Sequence, residues 1–261
     1  MTLSAIFPSD PIAMSAGAKT IAIASGKGGV GKTWFAITLA HALANAGQRV
    51  LLFDGDLGLA NVDIQLGLMP DQDLGDVLSG RLALHEVRLR FDAGGFDVIA
   101  GRSGSGRLAT VPQTRLFQLK EELQAVAGDY DYILLDLGAG VERTVRHLVR
   151  SAGKVIVVTT DEPTALTDAY AFIKLSQLDR PDGEIAVVIN MASSRRDGER
   201  TFHALRKACE GFLKISPPLL GIVRRDTRVR ETIRNQCSLL TRYPNTEAAV
   251  DVSAVARALS A

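Results

Sequence analysis

Short, nearly unbroken apolar runs alternate along this chain with longer stretches in which apolar residues return every third or fourth position. The runs Thr20–Ala24, Gln48–Phe53, Gly95–Ala100, Tyr130–Leu135, Lys154–Val158, Glu184–Ile189 and Leu219–Val223 are too short for buried helices and read as strands. Those at Lys154–Val158 and Glu184–Ile189 lack polar alternation, which predicts burial on both faces, as in a parallel sheet. Between them, Thr33–Leu43, Pro112–Ala127 (with Leu116, Leu119 and Leu123 on one side), Pro163–Leu178 and about Arg196–Lys214 carry helical spacing. Pro163 suits a first helical position, and Asp226 is placed to cap the helix that follows it. Leu57–Gly67 reads as mixed loop and short helix, Gln72–Ser79 as a second short helix, and Gly101–Gly106 as a glycine- and serine-rich turn. The repeated order predicts an α/β fold with a doubly wound, mostly parallel sheet flanked by helices and ligands at the carboxyl ends of its strands. Residues 1–18, with Pro8, Pro11 and Gly17, read as a flexible arm, and residues 19–261 as one domain that includes a C-terminal helix.

Composition narrows the classes. A net charge of +1 does not describe a generally basic nucleic-acid binder, so nucleic acid is not an expected partner. Cys209 and Cys237 lie far apart and form no C-x-x-C, which fits a reducing compartment and offers no zinc or iron–sulfur site. No apolar run approaches the ~18–20 residues of a spanning helix, and no basic segment precedes an apolar leader. A cytoplasmic protein is expected. Ala249, Val250, Val252, Val255, Ala256 and Leu259 make a modest apolar stripe near the end. With Arg257 as its one basic residue and no large aromatic, the stripe predicts a packed terminal helix, and any membrane contact should be weak and reversible.

The candidate chemistry begins directly after the first apolar run. Gly26, Gly31, Lys32 and Thr33 fit the spacing G-x-x-x-x-G-K-[ST], between a strand and a helix. Glycines at Gly26, Gly28, Gly29 and Gly31, with Val30, let backbone N–H groups converge on phosphate oxygens where the helix dipole favours anions. Lys32 can reach the β/γ-phosphates, and Thr33 can offer its hydroxyl to Mg²⁺. A second lysine, Lys27, stands inside the turn. It is either a solvated side chain or a cation long enough to reach the phosphates of a neighbouring subunit. Asp54, Asp56 and Asp136 follow apolar runs, where a carboxylate can serve Mg²⁺ or orient the attacking water; each alone also suits a turn or cap. On the phosphate loop's edge of the sheet, Asp56 is assigned to the water, Asp54 to metal-linked support, and Asp136 to Mg²⁺. Gly138 and Gly140 leave the last loop free to rearrange. Asn190 offers an amide to an adenine edge or ends a strand in a turn. The run Arg224, Arg225, Arg228, Arg230 and Arg234 is broken by Asp226 and Glu231 and reads as a solvated helix face.

The string Gly26-Lys-Gly-Gly-Val-Gly-Lys-Thr33 resembles the deviant Walker A loop of the MinD/ParA P-loop ATPases. Asp54 to Leu68, Glu162-Pro-Thr-Ala-Leu-Thr-Asp-Ala-Tyr170, and the pattern of Leu220, Gly221, Asp226, Val229, Arg230, Gln236, Tyr243 and Pro244 are similar to the FlhG/FleN (YlxH, MotR) flagellar-number regulators. The resemblance spans about residues 18–248, and the E-P-T…D-A-Y stretch is its most specific part. It implies an ATP- and Mg²⁺-dependent ATPase that dimerises on ATP, with Lys27 acting across the dimer, Lys32 and Thr33 on phosphate and Mg²⁺, Asp56 as hydrolytic aspartate, Asp136 as Walker B acid, and Asn190 and Asp226 on the nucleotide's base side. It also implies an FlhF-like GTPase and flagellar switch or regulatory proteins as partners, and a place in the cytoplasm, at the inner membrane face or the cell pole. The chain departs from the pattern at Leu137, where relatives often carry threonine, at Arg224, where they often carry proline, and in the absence of D-Q-A-x-x-L from residues 1–18. A ParA-type segregation ATPase, a MinD-type division-site protein and a metabolic enzyme of the same fold remain the alternatives.

Overall fold

The computed structural model describes residues 19–101 and 111–261. The expected arm over residues 1–18 and most of the glycine–serine turn lie outside the described residues. The strands are β1 (Lys19–Ser25), β2 (Val50–Gly55), β3 (Arg88–Phe91), β4 (Phe96–Ile99), β5 (Tyr132–Ala139), β6 (Lys154–Thr159), β7 (Glu184–Ala192) and β8 (Leu219–Arg224). The helices are α1 (Lys32–Asn45), α2 (Val62–Leu66), α3 (Leu74–Leu78), α4 (Gln113–Val126), α5 (Arg143–Ser151), α6 (Pro163–Asp179), α7 (Arg195–Ala208), α8 (Thr227–Arg234), α9 (Leu239–Arg242) and α10 (Glu247–Ser260). The strands form one sheet in the order β3-β4-β2-β5-β1-β6-β7-β8, parallel except for the β3–β4 pair.

The apolar strands are buried on both faces because each face carries its own helical layer. Leu51, Ile133, Leu135, Val155 and Val187 look into a core closed by α4–α7. Ile21, Ile23, Leu52, Leu134 and Ile156 look into another built on α1 and α10. β1 therefore lies between two strands whose following helices, α5 and α6, cover the opposite face from its own α1. That is a switch point, where an open α/β sheet has a crevice at its carboxyl edge.

α1 is buried from Lys32 to Leu43, on every side, because α10 covers the face that the sheet does not. The stripe of α10 meets that need. Ala248, Ala249, Val252, Val255, Ala256 and Leu259 are buried, and only Val250 of the apolar set is exposed. Alanines let the two helices approach closely, while Val252, Val255 and Leu259 each contribute about 1.5–3 kcal/mol relative to exposure. The stripe is spent on packing. Among the described residues no helix is long and apolar enough to cross a membrane.

Three elements were not legible in the pattern. β3 alternates arginine with Leu89 and Phe91 and lies antiparallel at the sheet's edge, where charged side chains blunt unwanted pairing. α5 is short and arginine-rich, and α9 is only four residues long. Asp136 and Asn190, expected at strand ends, lie inside β5 and β7. β5 continues because Ala139 pairs with Ser25, and β7 because Ala192 pairs with Arg224.

Candidate functional site

The loop between β1 and α1 is held from three sides. Gly29 and Gly31 adopt left-handed φ of 79° and 80°, and Gly31 precedes the first turn of α1. A Cβ on Gly26 would lie 2.1 Å from the carbonyl oxygen of Asp168 in α6, so the loop rests directly on that helix's backbone. Ser25 Oγ donates to the Lys27 carbonyl at 2.9 Å, and the buried Asn190 Nδ2 donates to the Val30 carbonyl at 2.8 Å. Backbone N–H groups at the start of α1 thus face outward as a preformed anion site. They open on a cavity of about 880 Å³, lined by residues 27–33, the loop after β2 with Asp56, Gly138, Asn190, and the β8–α8 corner at Arg224–Thr227. That volume suits a nucleotide-sized ligand.

Beneath the loop lie the carboxylates. Lys32 Nζ is 3.0 Å from Asp136 Oδ1, and both side chains are almost fully buried. Burial pushes the Asp136 carboxyl up from its ordinary value, and the charge of Lys32 opposes that rise. Asp54 is also buried; burial, then the like charge of Asp136, push it up to about 7. Its oxygens accept backbone N–H groups of Asp56, Asn61 and Val62 at 3.2, 3.1 and 3.0 Å. Asp54 therefore fixes the loop after β2 from beneath and does not line the cavity. Asp56 does line it, half-buried beside Gly138, with Oδ1 accepting from Leu59 N at 2.9 Å. Leu137, placed where a threonine was expected, is buried in the core against Gly55 rather than turned to the cavity.

The two lysines of the loop point apart. Lys27 reaches outward, with Nζ 2.6 Å from Glu162 Oε2 and 2.8 Å from Thr164 Oγ1. These partners belong to the E-P-T stretch singled out in the sequence, although nothing in its spacing announced the contact. At the other end of the cavity Asp226 caps α8, its Oδ1 accepting from Arg228 N at 2.9 Å. Arg224 beside it is tied back by Asp251 of α10, which accepts from its backbone N at 3.0 Å and its Nε at 2.8 Å, and Asp251 also takes Arg195 Nη2 at 2.6 Å. Gln236 Nε2 donates to the Ile64 carbonyl at 3.1 Å, joining the segment after α8 to α2. Glu142, Thr144, Arg225 and Arg230 line the cavity as well, and no sequence motif marks them.

The residues fit Mg²⁺ and a nucleoside triphosphate. Among the described residues Asp136 Oδ2 is buried without a hydrogen-bond partner, as expected of an oxygen kept for a cation or its water. Among the described residues no group of three or more His, Cys, Asp or Glu could hold a metal by itself. Mg²⁺ characteristically takes its oxygens from phosphates, a few protein groups such as the Thr33 hydroxyl, and water.

The chain matches the CobQ/CobB/MinD/ParA nucleotide-binding domain model over residues 21–239. It is 37% identical over 239 residues to the antiactivator FleN of Pseudomonas aeruginosa, covering 92% of this chain and 85% of that one. It is 31% identical over 228 residues to the flagellum site-determining protein YlxH of Helicobacter pylori, covering 87% and 76%. Its fold is similar to the septum site-determining protein MinD of Pyrococcus horikoshii, solved with Mg-ADP, at TM-score 0.80 and 26% identity, covering 93% and 96%.

Proposed function

This chain belongs to the CobQ/CobB/MinD/ParA family of P-loop ATPases, in the branch of the FleN and YlxH flagellar regulators, and we propose that it is a slow, partner-regulated switch that dimerises on ATP and regulates flagellar number and placement. The observation that carries the reading is the divergence of two lysines from one glycine turn. Lys32 points inward to Asp136, in reach of the nucleotide of its own subunit, and Lys27 points out to the surface. A single active site has work for the first. The second makes sense when another subunit's phosphates lie opposite.

In this mechanism the backbone of Gly26–Thr33 and Lys32 hold the phosphates. Thr33 and Asp136 would hold Mg²⁺, which would neutralise phosphate charge. Asp56 orients the attacking water, and Asp54 supports the metal side by keeping residues 56–62 in place. Asn190, by fixing Val30, and Asp226, at the head of α8, shape the nucleotide's base side. Switch loops ordered by a γ-phosphate would complete a dimer face, and hydrolysis would release it. An FlhF-like GTPase and flagellar switch or regulatory proteins are the partner classes this reading implies, with any membrane contact weak and reversible.

Asp56→Ala should bind ATP with unchanged affinity and lose hydrolysis about 10²-fold or more. Turnover equal to wild type would remove Asp56 from the reaction. In the host, deletion of the gene should change flagellar number or position. A defect in septum placement or chromosome partition with normal flagella would favour the MinD or ParA reading instead.

A further inference from the structure

The E-P-T stretch has a task in the structure that its sequence does not disclose. Glu162 occupies the N-cap position of α6, yet its side chain makes no cap hydrogen bond. It turns instead to Lys27 Nζ at 2.6 Å, and Thr164 in the first turn adds its hydroxyl at 2.8 Å. Ser, Thr, Asp and Asn are the side chains that serve an N-cap well. A glutamate that forgoes the helix and reaches a lysine is placed for the lysine. The two sides cannot drift apart easily, because Gly26 is seated against the Asp168 backbone of the same helix and Pro163 fixes its first turn. The contact is open to solvent, with Lys27 35% and Glu162 63% exposed, so it can be exchanged for another anion. Lys27, and beyond it Arg225, hold the Glu162 carboxyl below the usual carboxylate range.

We propose that Glu162 and Thr164 are positioning residues that hold Lys27 within its own subunit, so that ATP-driven dimerisation must first release a lysine from each copy. The proposal rests on the dimer reading above. An exposed ion pair restrains its lysine by up to about five-fold, and the symmetric complex counts that restraint twice, up to about 25-fold. The lysine is thereby kept from the wrong anions in the free monomer, at the cost of a weaker dimer.

The test uses the full chain with Mg²⁺ and a non-hydrolysable ATP analogue, with the dimer dissociation constant read by sedimentation velocity. Glu162→Gln should tighten the dimer about 3- to 25-fold. Thr164→Val should tighten it less, and Lys27→Ala, a monomer on this reading, should stay a monomer when Glu162→Gln is added. A dimer unchanged or weakened by Glu162→Gln would overturn the restraint while leaving the dimer reading intact, and so would a Lys27→Ala chain that Glu162→Gln brings back to a dimer. A wild type that stays monomeric with the analogue at every concentration would sink both. In the nucleotide-free monomer, acylation of Lys27 followed by mass spectrometry should speed up in Glu162→Gln relative to Lys174 of the same chain. An unchanged ratio contradicts the contact itself.

Discussion

Lys32 and Asp136 face one another at 3.0 Å with almost no exposure, so removing either leaves the other as an uncompensated buried charge. Lys32→Met is expected to lower stability by about 3 kcal/mol and to abolish ATP binding, which thermal denaturation and titration calorimetry would read separately. Retained affinity with the expected loss of stability would confine Lys32 to a structural role. Asp54 carries a different signature. In the folded chain it keeps its proton up to about pH 7, whereas its ordinary value is 3.8. Between those two values the folded state binds more protons than the unfolded one. The contribution of Asp54 to the stability of the nucleotide-free protein therefore falls as the pH rises from about 4 to 7 and levels off above. Asp54→Asn should flatten that slope in denaturant titrations run across the range, and an unaltered slope would assign it to other groups.

At the scale of elements, α6 and α10 are braces for the cradle. Gly26→Ala would drive a methyl group into the Asp168 backbone, which has no flexible end to yield. It should cost about 1–3 kcal/mol and weaken nucleotide binding, whereas Gly29, whose left-handed φ has open space around it, should be strained without a clash. Asp251→Ala would free Arg195 and leave Arg224 with Glu247 alone, and is expected to cost about 2 kcal/mol and loosen the β8–α8 corner of the cavity. Unchanged nucleotide affinity in that variant would separate α10 from the site. The glycine spacing that builds the loop is itself the chemical requirement, so the cradle, its flanking strand and its helix were legible in sequence. The strands of the central sheet were legible too, because burial on both faces erases polar alternation. β3 and α5 were not, since their arginines and short length resemble loop. The partner of Lys27 was out of reach for another reason. Glu162 is 135 residues away, and the topology alone brings β6 beside β1.

For the whole molecule, the sheet's switch point places the glycine loop after β1, the Asp56 loop after β2, Gly138 of β5 and the Arg224–Thr227 corner after β8 around one cavity. Any ligand that fills it touches all of them, which is how one phosphate could be felt over a whole face. That coupling predicts a state read by size. Light scattering of the purified chain with Mg²⁺, comparing ADP with ATP on an Asp56→Ala background that slows hydrolysis, measures it most directly. A monomer with ADP that becomes a dimer with ATP, and stays a monomer when Lys27→Ala is added, is the predicted result. The same mass with both nucleotides would contradict it.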